Sequence, residues 1–231
     1  SEPTVNRFCR SLETRGFPDF KLHLAQSLAH GTLYVNRNVD EDDSVESYTG
    51  KIFESAMASL DQVHHSLDMS AVNRAVDLLT QAKKIAFFGL GSSAAVAHDA
   101  MNKFFRFNVP VIYSDDIVLQ RMSCMNCDDD DVVVIISHTG RTKSLVELAQ
   151  LARENDAMVI ALTSAGTPLA REATLAITLD VPEDTDIYMP MVSRLAQLTV
   201  IDVLATGFTL RRGAKFRDNL KRVKEALKES R

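Results

Sequence analysis

Five short apolar runs, each set apart from the next by a helical stretch, constrain this chain more than any other feature. Residues 84–90, 109–114, 132–137, 158–163 and 175–179 are rich in Val, Ile, Ala and Phe, and their length predicts strands rather than helices. Between them the spacing of apolar positions predicts helices over 92–107, 117–124, 142–155 and 168–172. Near-continuous hydrophobic strands that alternate with helices imply an α/β fold whose parallel sheet is covered on both faces. Two amphipathic helices, 49–66 and 70–81, precede the alternation, and two long ones, 191–211 and 215–228, close the chain.

At 231 residues the chain can bury a sizeable core, and its 45% hydrophobic and 25% charged content is that of a globular protein. No apolar run nears the roughly 20 residues that span a bilayer, so no membrane partner is expected. No secretory signal is recognised ahead of the fold. Cys9, Cys124 and Cys127 make no even framework, which suits a reducing cytoplasm. A formal net charge of −5 excludes a surface that is basic overall, and nucleic-acid contact would need a local patch.

The third predicted strand runs into Ser137-His138-Thr139-Gly140-Arg141-Thr142-Lys143-Ser144, and a helix follows. N–H groups left free at a helix N-terminus, with the positive end of the helix dipole, favour an anion there. The hydroxyls of Ser137, Thr139, Thr142 and Ser144 add donors, and Gly140 lets backbone approach closely. The nucleotide P-loop pattern G-x-x-x-x-G-K-[ST] is absent, so a single phosphate monoester suits this loop better than a polyphosphate. The first strand ends in Gly89-Leu90-Gly91-Ser92-Ser93-Ala94, which matches G-x-G-x-x-A. With Asp115 and Asp116 after the next strand, a dinucleotide fingerprint is the rival reading. Two hydroxyl loops at the ends of adjacent strands instead bracket one small anion, and no cofactor is expected.

The first residues show Ser1 as an N-cap with Pro3 in the first turn, then Val5, Phe8 and Leu12 at helical spacing. A second short helix is expected over 19–30, and the acidic stretch 36–48 reads as a linker. Such a helix pair cannot bury its own apolar face, so it is expected to be the end of a larger unit or to take cover from a partner. Cys124-x-x-Cys127 has metal-ligand spacing, but no second pair completes a zinc site, and no metal is expected. His64, His65 and His98 read as ordinary helix residues, and Asp128 to Asp131 as a solvated acidic turn.

Gly91-Ser92-Ser93 and Ser137-His138-Thr139-Gly140-Arg141-Thr142 resemble the two signature loops of the sugar isomerase (SIS) domain, over about 49–212. The front, Ser1-Glu2-Pro3-Thr4-Val5-Asn6-Arg7-Phe8-Cys9-Arg10 with Gly16-Phe17-Pro18, is similar to the recognition helix and following segment of the RpiR family of bacterial regulators. The closing Ser193-Arg194-Leu195-Ala196-Gln197-Leu198 shares that resemblance. It implies a flavodoxin-like SIS domain over 49–231 (core about 75–212), a linker over 36–48, and a helix-turn-helix remnant over 1–35 whose recognition helix spans about 1–13. Ser1, Thr4, Asn6, Arg7 and Arg10 would then meet operator DNA.

For the effector, the resemblance implies a site of Ser92, Ser93, Ser137, His138, Thr139, Gly140, Arg141, Thr142 and Lys143, with Arg194 from the late helix. Isomerases of the SIS family commonly carry Glu where Arg141 stands, so a candidate base is replaced by a cation that favours an anionic ligand. The bland reading of Arg141 and Arg194 is a solvated or interface arginine. A phosphorylated sugar acid is expected, 2-keto-3-deoxy-6-phosphogluconate of the Entner–Doudoroff route being the one that the resemblance implies. The expectation is therefore a cytoplasmic repressor of hexose metabolism, not an enzyme, working as a homodimer or tetramer. The alternative is an aldose–ketose phosphate isomerase that uses His138 or another, unassigned base.

Overall fold

The chain's structure, a computed structural model, describes residues 38–183 and 189–228 together with Thr4, Val5, Phe8, Cys9, Thr14, Gly16, Phe17 and Phe20. The five apolar runs form strands β1 (Lys84–Phe88), β2 (Val111–Ser114), β3 (Asp131–Ile136), β4 (Met158–Thr163) and β5 (Leu175–Thr178). They pair in parallel throughout, in the order β2-β1-β3-β4-β5. Phe88, the last residue of β1, is in register with Ser114 of β2 and Ile135 of β3. The strand order reverses direction at β1, and the loops after β1 and β3 therefore leave the sheet side by side. In open α/β sheets this switch point is where a crevice opens.

The helices are α1 (Val45–Ser66), α2 (Met69–Gln81), α3 (Ser92–Phe104), α4 (Ile117–Met125), α5 (Lys143–Glu154), α6 (Pro168–Glu172) and α7 (Val192–Lys228). Alternate strand residues face opposite ways, which gives two cores. On one face Ile85, Phe87, Val134, Ile136 and Ile160 meet α2, α3 and α7. On the other, Phe88, Val133, Ile135 and Val159 meet α4, α5 and α6. Every residue of β3 is buried, as a central strand covered on both sides must be. By backbone proximity the chain forms two compact units, residues 1–57 with 183–189 and residues 58–182 with 190–231.

Four details depart from the expected elements. α1 begins at Val45 rather than at residue 49, because Ser44 Oγ accepts the Ser47 N–H at 3.2 Å and caps the first turn. Asp40 and Asp43 both hold Lys51, at 3.0 and 2.6 Å. Asp131 is no solvated turn residue: it opens β3, is buried, and pairs with Lys84 at 2.5 Å. The helix after the first loop tightens at its end into a 3-10 turn, Phe105–Phe107, closed by Asn108 at φ 51°. The two closing helices appear as one run broken at Gly213, whose φ of 78° is not helical.

Of the predicted recognition helix, Thr4, Val5, Phe8 and Cys9 are helical, with Thr4 exposed. Ser1, Asn6, Arg7 and Arg10, most of the predicted helix 19–30, and linker residues 36 and 37 lie outside the described residues. Among the described residues no helix is long and apolar enough to cross a membrane.

Candidate functional site

The first loop owes its path to two glycines. A β-carbon on Gly89 would lie 2.6 Å from the Ser93 carbonyl oxygen, so only glycine lets the first turn of α3 fold back onto the end of β1. Gly91 occupies the N-cap of α3 at φ 57°, and no side chain caps the helix. The chain then turns through Ser93 N–H donating to Leu90 O (3.2 Å) and Ala94 N–H donating to Gly91 O (3.1 Å). Ser93 is buried and Ser92 half-buried.

Gln120, fully buried on α4, braces this loop from beside the sheet. Its Nε2 donates to Gly89 O at 3.2 Å and to Ser114 O at 2.7 Å, tying together the ends of β1 and β2. Gln120 was not among the expected site residues.

The second loop begins where Ser137 N–H donates to Leu162 O (3.0 Å), one step beyond the β3–β4 ladder. Ser137 is 5% exposed, and its Oγ accepts the Gly140 N–H at 3.2 Å. A hydroxyl that accepts there keeps its own proton to donate. Arg141 N–H donates to Thr139 Oγ1 at 3.4 Å. Thr142 stands at the N-cap of α5 with its side chain uncommitted to the cap, so the helix end presents first-turn N–H groups of the kind that attract an anion.

The β4–α6 segment holds this loop in place. Ser164 donates its N–H and its Oγ to His138 O, at 3.1 and 2.9 Å. Leu169 N–H donates to Gly140 O at 3.1 Å. Because trans peptide units are planar, fixing those two carbonyls on one side turns the Thr139 and Arg141 N–H groups to the other. Ser164, Thr167 and Leu169 were not among the expected site residues. Their role is read from backbone geometry that no motif carries.

The structure thus brings Ser92, Ser93, Ser137, Thr139, Gly140 and Thr142 to the ends of adjacent strands. His138 is half-buried. Arg141 is exposed on the loop, and the Lys143 side chain is 90% exposed, 3.8 Å from Glu147. Lys143 therefore stands at the rim. Arg194 lies in the first turn of α7, with its Nε buried and without a hydrogen-bond partner among the described residues.

Other readings of the sequence find less support in the geometry. The Asp116 carboxylate caps α4, accepting the N–H groups of Val118 and Leu119 at 2.8 and 2.9 Å, and is thereby engaged where a ribose would need it. Burial pushes the Cys124 thiol up to about 12 and that of Cys127 to about 11, so neither is a ready thiolate. Of the described acidic and histidine groups close enough to share a cation, Asp61, His64 and His65 are exposed, and Asp128, Asp129 and Asp130 precede β3 at the opposite end of the strand from the loops.

Residues 78–207 match the SIS domain family, and residues 1–31 match the helix-turn-helix domain of the rpiR family. The chain is 94% identical over all 231 residues to the HTH-type transcriptional regulator HexR of Escherichia coli (strain K12), of which it spans 80%. It is 58% identical over 227 residues, 98% of its length, to HexR of Pseudomonas aeruginosa, again spanning 80% of that protein. Among solved structures, the Vibrio vulnificus NanR protein complexed with ManNAc-6P superposes with a TM-score of 0.74 at 25% identity, covering 100% of this chain and 82% of that one. The chain belongs to the rpiR family of helix-turn-helix regulators that carry a SIS domain.

Proposed function

We propose that this protein is a DNA-binding transcriptional repressor of hexose metabolism whose SIS domain senses a phosphorylated sugar acid, 2-keto-3-deoxy-6-phosphogluconate being the best candidate. The observation that carries the reading is the paired cradle: an uncapped α3 behind Ser93 and an uncapped α5 behind Ser137, side by side at the switch point of the sheet. Ser92, Ser93, Ser137, Thr139 and Thr142 donate to the phosphate, and Gly140 brings backbone N–H groups close. His138 contributes a contact from the loop. Arg141, Lys143 and Arg194 supply the positive charge that a carboxylate requires. The similarity to a protein solved with a hexosamine phosphate supports a sugar phosphate in the same crevice.

DNA is read by the N-terminal segment, where Ser1, Thr4, Asn6, Arg7 and Arg10 meet the major groove and its phosphates. The protein acts as a homodimer or a tetramer. Val118, Leu119, Met122 and Met125 leave an apolar face exposed on α4, which supports self-association. Effector and operator are linked through their different affinities for two arrangements of the dimer, a coupling of about 1–3 kcal/mol. In this reading Arg141 replaces an isomerase carboxylate, and the protein regulates in place of catalysing.

The test is fluorescence anisotropy of operator DNA with the full-length protein, with and without the keto-deoxy acid. Release of DNA by this ligand, and not by fructose 6-phosphate, is the expected result. DNA affinity that no sugar phosphate changes would overturn the reading.

A further inference from the structure

We infer that Gln197, on the first two turns of α7, binds a hydroxyl of the effector and sets its selectivity. The inference rests on the sugar-acid reading above and adds a third wall to the two loops.

Two observations converge on Gln197. It is 2% exposed, and its Oε1 is buried with no hydrogen-bond partner among the described residues. A buried carbonyl oxygen left without a donor is costly, and native proteins retain such atoms where a ligand or function requires them. Ser193, one turn earlier on the same face, is equally buried, and Arg194 beside it carries the buried Nε without a partner. The start of α7 thus combines an acceptor and a donor that both lack partners among the described residues.

The second observation is where that start lies. α7 packs against α3, with Lys103 Nζ 3.2 Å from Asp202 Oδ1 and the ring centroids of Phe104 and Phe208 5.4 Å apart. Phe107 and Phe216, with ring centroids 5.9 Å apart, continue the series, so that 103, 104 and 107 meet 202, 208 and 216 in the same order and the two segments run parallel. Lys103 and Asp202 stand eleven and ten residues from Ser92 and Val192, the first residues of their helices. At about 1.5 Å per residue the two N-termini are level to within about one turn. Ala196 and Val200 bury into the same core as Val96 and Ala97, which turns Gln197 inward beside them. Its side chain is thus buried near the N-terminal end of α7, about level with the start of α3.

Chemistry then names the ligand group. Oε1 accepts, so it needs an O–H or N–H; Nε of Arg194 donates, so it needs an oxygen. A polyhydroxy acid phosphate supplies both, the hydroxyl to Gln197 and the carboxylate to Arg194, while the phosphate sits on the loops. Inorganic phosphate supplies only the last.

Calorimetric titration of the wild type, Gln197→Met and Ser137→Ala with 2-keto-3-deoxy-6-phosphogluconate and with inorganic phosphate tests this. Gln197→Met is expected to weaken the sugar acid by about tenfold or more, the loss of one buried hydrogen bond, and to leave phosphate affinity unchanged. Its thermal midpoint should match or exceed the wild type, since an unsatisfied buried oxygen is removed; a merely structural glutamine would lower it. Should Gln197→Met fail to melt cooperatively, Gln197→Glu carries the test: its carboxylate beside an anion must weaken binding at neutral pH. Wild-type affinity for the sugar acid in the folded Gln197 variant, with binding lost in Ser137→Ala, overturns this inference alone. A wild type that binds no sugar acid overturns it together with the sensor reading.

Discussion

Gly140 stands so close to Thr167 that a β-carbon on it would lie 2.3 Å from Thr167 Oγ1. That hydroxyl is not free to swing away, because it donates to Ser164 O (3.0 Å) and accepts the Ala170 N–H (3.2 Å) at the start of α6. The contact locks the loop after β3 onto the loop after β4. It is therefore part of what aims the N–H groups of the cradle.

Gly140→Ala should accordingly damage stability and binding together. The residue sits at φ 56°, and an L side chain there costs about 1–2 kcal/mol before any clash. Overpacking against Thr163 and Thr167 raises the expected loss to about 2–4 kcal/mol. Denaturant unfolding reads this as a lower midpoint at unchanged slope. A variant of wild-type stability would show that the loop is not clamped as described.

Gln120 offers a test at the other loop. Gln120→Leu removes the donor to Gly89 O and Ser114 O and leaves two carbonyls unpaired beneath the first loop. The expected cost is about 1–3 kcal/mol, with weaker sugar-phosphate binding through a loosened Ser93. An unchanged melting temperature and affinity would remove Gln120 from the account.

The entry into α1 should respond to acid. The Lys51 ammonium, the Ser47 hydroxyl and the Asp40 N–H hold the Asp43 carboxyl at about 2, below its ordinary 3.8. A depressed carboxylate contributes its stabilisation above the unfolded value and loses it as pH falls through the folded one. The first turn of α1 should thus loosen as pH drops from about 4 to about 2. Amide hydrogen exchange in Asp43→Asn should be faster than wild type at pH 7 and converge with it near the acid end. Equal exchange at pH 7 would refute the tie.

The exposed face of α4 predicts an assembly effect. Met122→Glu, in a position more than half exposed, should leave the fold intact and reduce the mass measured by light scattering toward that of a single chain. An unchanged mass would move the interface elsewhere.

The sheet was legible in the sequence because burial on both faces leaves no polar residue in β3 after Asp131 and few inside its neighbours. Strand ends blurred by one or two residues where Leu90 and Val109 remain apolar outside the ladder. The position of the two hydroxyl loops was legible because glycines and hydroxyls mark a strand-to-helix turn in residue type alone. What holds those loops was not. Ser164, Thr167 and Gln120 act from elements remote in sequence, and a hydrogen bond to a carbonyl leaves no mark on residue type. Asp131 was misread for the opposite reason: its three exposed acidic neighbours disguise a strand residue paired with Lys84. Gln197 figured in the sequence only as part of the closing segment, and it is its burial that sets it apart.

The most direct test of the sensor reading is calorimetric titration of the chain with 2-keto-3-deoxy-6-phosphogluconate, 6-phosphogluconate and fructose 6-phosphate, with Ser137→Ala as control. The account predicts selective binding of the keto-deoxy acid, weakened at least about tenfold when the buried serine hydroxyl is removed. Binding of fructose 6-phosphate alone, or affinity for the keto-deoxy acid that survives Ser137→Ala unchanged, would contradict it.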